Sequence, residues 1–181
     1  SLGCYSLAFN TLGYDNTGLG SRSLNSNSTG FTNTAIGVYS LGSNTTGNLN
    51  TGLGSYSLYR NVSGFRNTAV GYNSLYNSLG VSNTALGYLA GNLITSGGNN
   101  IAIGNDAQVP SGTSSNQVRI GNTNISYAGI QVAWTITSDR RWKQGILTSN
   151  LGLGFITKLI PVSYTRINDE NQKTEYGFIA Q

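Results

Sequence analysis

A short motif recurs along the first two thirds of this 181-residue chain and limits the folds that the chain can adopt. The six full copies are spaced 17 residues apart, once 16, and read as follows: "NTGLGSRSL" from Asn16, "NTAIGVYSL" from Asn33, "NTGLGSYSL" from Asn50, "NTAVGYNSL" from Asn67, "NTALGYLAG" from Asn83 and "NIAIGNDAQ" from Asn100. Partial copies, "LGCYSL" and "VRIGN", precede and follow them. So short a unit cannot bury a hydrophobic face alone, so the copies must stack on one another.

The period predicts an all-β fold, a parallel β-solenoid whose coils of about 17 residues contain brief strands and tight turns. Residues two apart in a strand share a face, so we expect two files of side chains to point into the solenoid together. One file is aliphatic: Leu2, Leu19, Ile36, Leu53, Val70, Leu86, Ile103 and Ile120. The other consists of Thr17, Thr34, Thr51, Thr68, Thr84, Ile101 and Val118. The file between them is small, which predicts the close approach of another surface, until Arg119 interrupts it.

One glycine of every copy follows the aliphatic file. The eight repeat glycines are Gly3, Gly20, Gly37, Gly54, Gly71, Gly87, Gly104 and Gly121. A glycine at every period predicts a turn that needs a positive φ or has no room for a Cβ atom. We also expect the asparagine that begins each copy to form a ladder of side-chain hydrogen bonds along the stack.

The motifs "NTALGY" and "NNIAIGNDA" resemble the repeats of trimeric adhesin heads of the YadA type and of related phage and bacterial surface fibres. The resemblance covers residues 1–122. It implies a left-handed parallel β-roll and three chains packed side by side around a threefold axis. The repeat of this chain is longer than the common adhesin-head repeat.

The composition changes after Gly121. Residues 123–137 are rich in β-branched and aromatic side chains and read as an extended neck. Of the 16 charged residues, ten lie from Asp139 onward, which predicts a domain boundary near residue 137. The sequence therefore predicts three parts: a β-solenoid over 1–122, a neck over 123–137 and a second module, of mixed α+β structure, over 138–181.

The last part resembles the start of the peptidase S74 domain, the intramolecular chaperone of phage tail spikes and related fibres. The resemblance rests on "SDRRWKQGI" at 138–146, "LGLGFITKLIPVSYTRIND" at 151–169, "KTEYGFIAQ" at 173–181 and the upstream "NQVRIGNTNIS" at 116–126. It implies that the module helps three chains assemble and then releases itself by cleaving the Thr137–Ser138 bond. The family continues beyond "GFIAQ", so we expect this sequence to be part of a longer protein.

The resemblance also implies a catalytic pair, Ser138 and Lys143. Because the chain contains no histidine, a Ser-His-Asp triad is impossible. A lysine amine can activate a serine hydroxyl if desolvation or neighbouring cations keep it partly neutral, and Arg140 and Arg141 are such cations. Spacing alone favours a different interpretation, in which both are ordinary surface residues of a turn.

Three functions remain open from the sequence. The first is the shaft of a phage tail fibre or of a bacterial surface adhesin, because repetition provides rigidity and reach. The second is a tail-spike enzyme acting on surface polysaccharide, whose active site would lie outside this sequence. It would need convergent carboxylates, whereas the repeats contain only Asp15 and Asp106. The third, an ice-binding solenoid, needs outward ranks of threonine, and the predicted inward threonine file argues against it.

The composition limits the cofactors, metals and binding partners that we expect for this chain. One cysteine, Cys4, excludes an internal disulfide and a cysteine-based metal site, and we expect no cofactor or metal. The net charge of +4 is scattered, and no apolar run approaches a membrane span, so neither nucleic acid nor membrane insertion is expected. We expect a homotrimer that meets a host-surface glycan or protein receptor, on a virion or a cell surface. Four N-x-[ST] matches, at Asn27, Asn44, Asn61 and Asn124, are expected by chance in this composition.

Overall fold

The structure, a computed structural model, describes residues 2–129 and the backbone of two strands at 161–164 and 175–178. The chain divides into two units, Ser1–Gly129 and Ile130–Gln181, each of which is described by itself. The predicted division at residues 122 and 137 stays a prediction.

The first unit is a parallel β-solenoid, as the sequence predicts. One three-residue strand of every repeat joins a seven-stranded sheet in sequence order. The strands are β1 (Thr17–Leu19), β2 (Thr34–Ile36), β3 (Thr51–Leu53), β4 (Thr68–Val70), β5 (Thr84–Leu86), β6 (Ile101–Ile103) and β7 (Val118–Ile120). Equivalent residues pair in parallel, for example Thr34 with Thr51, and the coil of 16 residues keeps this register. The residues that the structure describes contain no helix.

The repeat glycines form the turn that follows each strand. All eight have φ between +78° and +138°, a region that side chains rarely adopt. The space beside them is also closed. A Cβ atom on Gly54 would lie 2.7 Å from the carbonyl carbon of Gly71 in the next coil. Glycine is therefore required at these positions for two reasons, the positive φ and the close stacking of one backbone on the next.

The predicted inward direction of the threonine and aliphatic files is wrong. The buried residue of each strand is the middle one, and Ala35, Ala69, Ala85 and Ala102 are completely buried. The threonine and aliphatic side chains on either side are exposed or half-buried. The small file therefore faces the interior, up to the half-buried Arg119 on the last strand.

The reason is the narrowness of each coil. Opposite the strand runs a column of serines, and a Cβ atom on Gly52 would lie 2.5 Å from the Ser40 hydroxyl oxygen. Only glycine or alanine fits there, so larger side chains on the strand must point outward. The apolar core lies beside the serines, where Leu24, Leu41 and Leu58 are fully buried.

The predicted asparagine ladder is confirmed. The Asn67 backbone N–H donates to Asn50 Oδ1 (3.0 Å), and that of Asn50 donates to Asn33 Oδ1 (3.0 Å). The amide group of Asn50 also donates to the Gly64 carbonyl (2.8 Å). This continuous column runs from Asn16 to Gln117. It provides hydrogen-bond partners for buried backbone groups that lie outside the pairing between strands.

A second column of buried asparagines was not predicted. Asn44 donates to Asn27 Oδ1 (2.8 Å), and Asn61 donates to Asn44 Oδ1 (2.9 Å). The column ends in the 16-residue coil, where Ser78 takes the next position, and Asn61 Oδ1 is left without a hydrogen-bond partner. Because Asn27, Asn44 and Asn61 are completely buried, only Asn124 of the four N-x-[ST] matches is exposed.

In the second unit the structure describes one antiparallel pair, β8 (Pro161–Tyr164) with β9 (Glu175–Phe178). Pro161 pairs with Phe178 and Tyr164 with Glu175. The rest of the predicted mixed α+β module lies outside the described residues.

Candidate functional site

The outward face of the seven-stranded sheet is the first candidate surface, which we call the threonine–aliphatic face. It carries two parallel ranks of side chains, one chiefly of threonine and one of aliphatic residues. Leu53, Leu86 and Ile120 are 39%, 49% and 59% exposed. An outward aliphatic rank that is exposed or half-buried along the whole sheet is unusual for a protein surface and is typical of an interaction site.

This orientation also overturns the argument against ice binding. Thr17, Thr34, Thr51, Thr68 and Thr84 lie outside the coil and in register. Outward ranks of threonine are what an ice-binding surface would require. The face can serve either to bind ice or to contact other copies of the chain. The oligomeric state distinguishes these two uses, because a face covered by other copies cannot contact ice.

The turn after each glycine carries the second candidate surface, a band of tyrosines that we call the aromatic band. Its members are Tyr39, Tyr56, Tyr59, Tyr72, Tyr76 and Tyr88. They stack in pairs from neighbouring coils, with ring centroids 5.2 Å apart for Tyr39 and Tyr56 and 5.6 Å apart for Tyr72 and Tyr88. Such stacks add to the attraction between coils.

Beside Tyr39, at one end of the aromatic band, a groove of about 340 Å³ opens on the side of the solenoid. We call it the Arg22 groove, and it is lined by Tyr5, Phe9, Arg22, Asn25 and Tyr39. The Arg22 Cζ atom lies 5.7 Å from the Tyr5 ring centroid and 5.2 Å from that of Tyr39. An Arg22 N–H donates to the Tyr39 hydroxyl, and this hydrogen bond raises the pKa of Arg22 above its ordinary value.

The repeat backbone explains this arrangement. Tyr5, Arg22 and Tyr39 occupy the same position in three successive coils, and their φ values are 58°, 57° and 58°. Equal backbone geometry directs the three side chains the same way, one coil apart. The guanidinium group of Arg22 is therefore held between two aromatic rings.

Carboxylates do not converge within the part of the chain that the structure describes. Asp15 precedes β1 and Asp106 follows β6, so five coils separate them. Among residues 2–129 no group of three or more His, Cys, Asp or Glu side chains is close enough to hold a metal ion. The described residues also include no helix that could cross a membrane.

The predicted catalytic residues Ser138 and Lys143 lie outside the described residues, as do Thr137, Arg140 and Arg141. The serine–lysine pair and the cleavage point therefore stay predictions.

Comparison with known families identifies this part of the chain. Residues 138–181 match the family model Peptidase_S74, described as the chaperone of endosialidase. The match begins at Ser138 and confirms the resemblance that the sequence motifs predicted. No curated protein and no solved structure matches the chain.

The S74 match and the solenoid together fit the shaft of a tail fibre or tail spike that carries a chaperone segment. They indicate a virion or extracellular protein. Sequence reasoning missed the aromatic band and the Arg22 groove. The band changes position between coils, so no single column of the repeat reveals it. The groove depends on one arginine that replaces a tyrosine in its column.

Proposed function

We propose that this chain is the shaft of a homotrimeric tail fibre or surface appendage, which assembles with the help of its S74 segment and is then released by self-cleavage. The observation that carries the proposal is the order of the two parts. In the sequence, a solenoid with an outward aliphatic rank precedes a segment that matches a chaperone family.

The threonine–aliphatic face is the surface that we assign to the contact between subunits. A single chain leaves Leu19, Leu53 and Leu86 42%, 39% and 49% exposed to water. Burying such side chains stabilises an assembly by about 25 cal/mol per Å² of apolar surface. Seven in-register strands provide a long, regular surface, and three copies could each present it to a common axis.

Self-cleavage needs only groups that the S74 segment contains. In the proposed reaction, Lys143 accepts the proton of the Ser138 hydroxyl as the oxygen attacks the Thr137 carbonyl carbon. The C–N bond breaks, the Ser138 nitrogen takes up the proton, and an ester links Thr137 to the Ser138 side chain. Water then hydrolyses the ester, which leaves a carboxylate on Thr137 and a free amine on Ser138.

The receptor of such a fibre would be a host-surface glycan or protein, which the shaft holds at a distance from the particle. The polysaccharide-degrading alternative gains no support from residues 2–129, where the two carboxylates are far apart in the stack.

Mass spectrometry of the full-length product tests the cleavage. We expect a break between Thr137 and Ser138 in the wild type and in Ser149→Ala, a matched serine of the same segment. Ser138→Ala and Lys143→Arg should remain intact. An uncleaved wild type, or cleavage of Ser138→Ala at the wild-type rate, would contradict the serine–lysine pair.

Native mass spectrometry tests the trimer separately. We expect three times the mass of the cleaved chain, residues 1–137, for the wild type and for Leu49→Asp, which changes a leucine outside the seven strands. Leu53→Asp places a charge on that face and should give single chains. A folded wild-type monomer would contradict the proposed trimer. Assays of ice-crystal growth inhibition would then test whether the exposed threonine ranks bind ice.

A further inference from the structure

We propose that the Arg22 groove is a binding site for an acidic saccharide, a pyranose ring that carries a carboxylate. The inference deepens the proposed attachment function and rests on it for the source of the ligand, a host-surface glycan. It assigns the recognition to one place on the side of the shaft.

The charge of the groove selects an anion. A guanidinium group binds a carboxylate through two parallel N–H···O hydrogen bonds, which are charge-assisted and directional. Neither of the two carboxylates among residues 2–129, Asp15 and Asp106, lines the groove. A carboxylate from outside therefore meets no repulsion from the lining side chains.

Arg22 is also held in place before a ligand arrives. Rings lie on both sides of its guanidinium group, and the Tyr39 hydroxyl accepts one of its hydrogen bonds. An exposed arginine normally loses rotamer freedom when it binds. Here the aromatic rings restrict that freedom in the unbound protein, so less is lost on binding.

The remaining lining residues favour a sugar over a simple anion. Phe9 offers an apolar wall, and the C–H bonds on one side of a pyranose are attracted to the negative face of such a ring. The Asn25 amide group donates to the Tyr5 carbonyl (3.0 Å), which leaves Asn25 Oδ1 to accept from a hydroxyl.

Saturation-transfer NMR on the purified full chain tests the site. The probes are pairs of oligosaccharides that differ in one carboxylate, such as cellobiouronic acid with cellobiose, together with oligosaccharides that end in a nonulosonic acid and their neutral counterparts. We expect an acidic member to bind at least about tenfold more tightly than its neutral partner, which is about 1.4 kcal/mol. Added salt should weaken the binding.

Two variants locate the binding. Arg22→Gln should abolish the preference for the acidic member, and Phe9→Ala should weaken binding of that member. Arg60→Gln is the matched control, because Arg60 is also exposed but contacts Asn77 outside the groove. Circular dichroism and native mass should be unchanged in all three. Equal binding of acidic and neutral members, no binding of any acidic member, or equal losses in Arg22→Gln and Arg60→Gln would overturn the inference.

The result of the saccharide-binding test does not depend on whether the chain forms a trimer. An intact trimer without acidic-sugar binding would overturn the groove alone. A monomer that binds the acidic member through Arg22 would overturn the trimer and leave the groove in place.

Discussion

The coils before Asn67 and the coils after Ser78 share the same strands and turns but have different interiors. The early coils contain polar columns, with the Ser40 and Ser57 hydroxyls 2.8 Å apart. The late coils are apolar at the equivalent positions, which are occupied by Ala90, Ala107 and Ile94. The backbone register does not change between them.

The difference separates what every coil needs from what a coil can exchange. The repeat glycines and the continuous asparagine column are present throughout. The serine column and the second asparagine column stop near the 16-residue coil, where two buried polar atoms, Asn61 Oδ1 and Asn73 Oδ1, lack a hydrogen-bond partner. The repeat glycines and the continuous asparagine column therefore define the solenoid. The serine column and the second asparagine column fill its interior.

The largest loss of stability is expected at a feature of every coil. Gly54→Ala should raise the free energy of the folded state by roughly 2–6 kcal/mol, through an unfavourable φ of +127° and overlap with the Gly71 carbonyl. Gly42→Ala is the control, because its φ is not positive and its Cβ atom would lie 3.1 Å from the Tyr39 carbonyl oxygen and 3.2 Å from the Tyr59 ring, farther than the contacts at Gly54. Urea unfolding at one protein concentration measures both. Equal midpoints would show that the turn does not require glycine.

The next largest effect compares the two asparagine columns. Asn50→Ala removes a complete set of buried hydrogen bonds and leaves the Asn67 N–H unpaired, at roughly 1–3 kcal/mol, while the Gly64 carbonyl keeps only its hydrogen bond from Asn61. Asn61→Ala should be milder, because Asn61 Oδ1 accepts no hydrogen bond. The same urea experiment ranks them. A larger loss for Asn61→Ala would contradict the central importance of the continuous column.

The smallest effect concerns the exchangeable filling. Ser57→Ala should destabilise the solenoid by about 1 kcal/mol, because it removes one partner of the Ser40–Ser57 hydrogen bond. The double variant Ser40→Ala/Ser57→Ala makes the early coils resemble the late ones. It should cost less than the sum of the single variants, since both single variants lose the same Ser40–Ser57 hydrogen bond. Additive losses would show that the polar filling matters as much as the framework.

The sequence was sufficient for the repeat, the strands, the glycine turns and the first asparagine ladder, because each follows from the period alone. It was insufficient for the direction of the strand side chains. A period of two shows that Thr51 and Leu53 share a face, but the size of the interior decides which face is inside. The Ser40 and Ser57 hydroxyls that fill this space lie in another part of the coil.

The remaining misses have similar causes. The second asparagine column, which includes Asn44 and Asn61, looks like a run of polar turn residues, because nothing local marks a side chain as buried. The Arg22 groove arises where three coils stack, and the sequence separates its residues by 17 positions. The predicted pair Ser138 and Lys143 rests on motifs within the S74 match, and only an assay of cleavage can test its chemistry.

The most direct test of the account is the accessibility of the threonine–aliphatic face. Leu53 and Leu49 are 39% and 43% exposed in a single chain, but only Leu53 belongs to a strand of the sheet. In a Cys4→Ser background, thiol labelling of Leu53→Cys and Leu49→Cys would be compared in the assembled protein and in isolated subunits. The account predicts slow labelling of Leu53→Cys only in the assembly. Equal labelling of both cysteines in the assembly would contradict the contact between copies, and slow labelling of Leu53→Cys in isolated subunits would contradict the outward strand face.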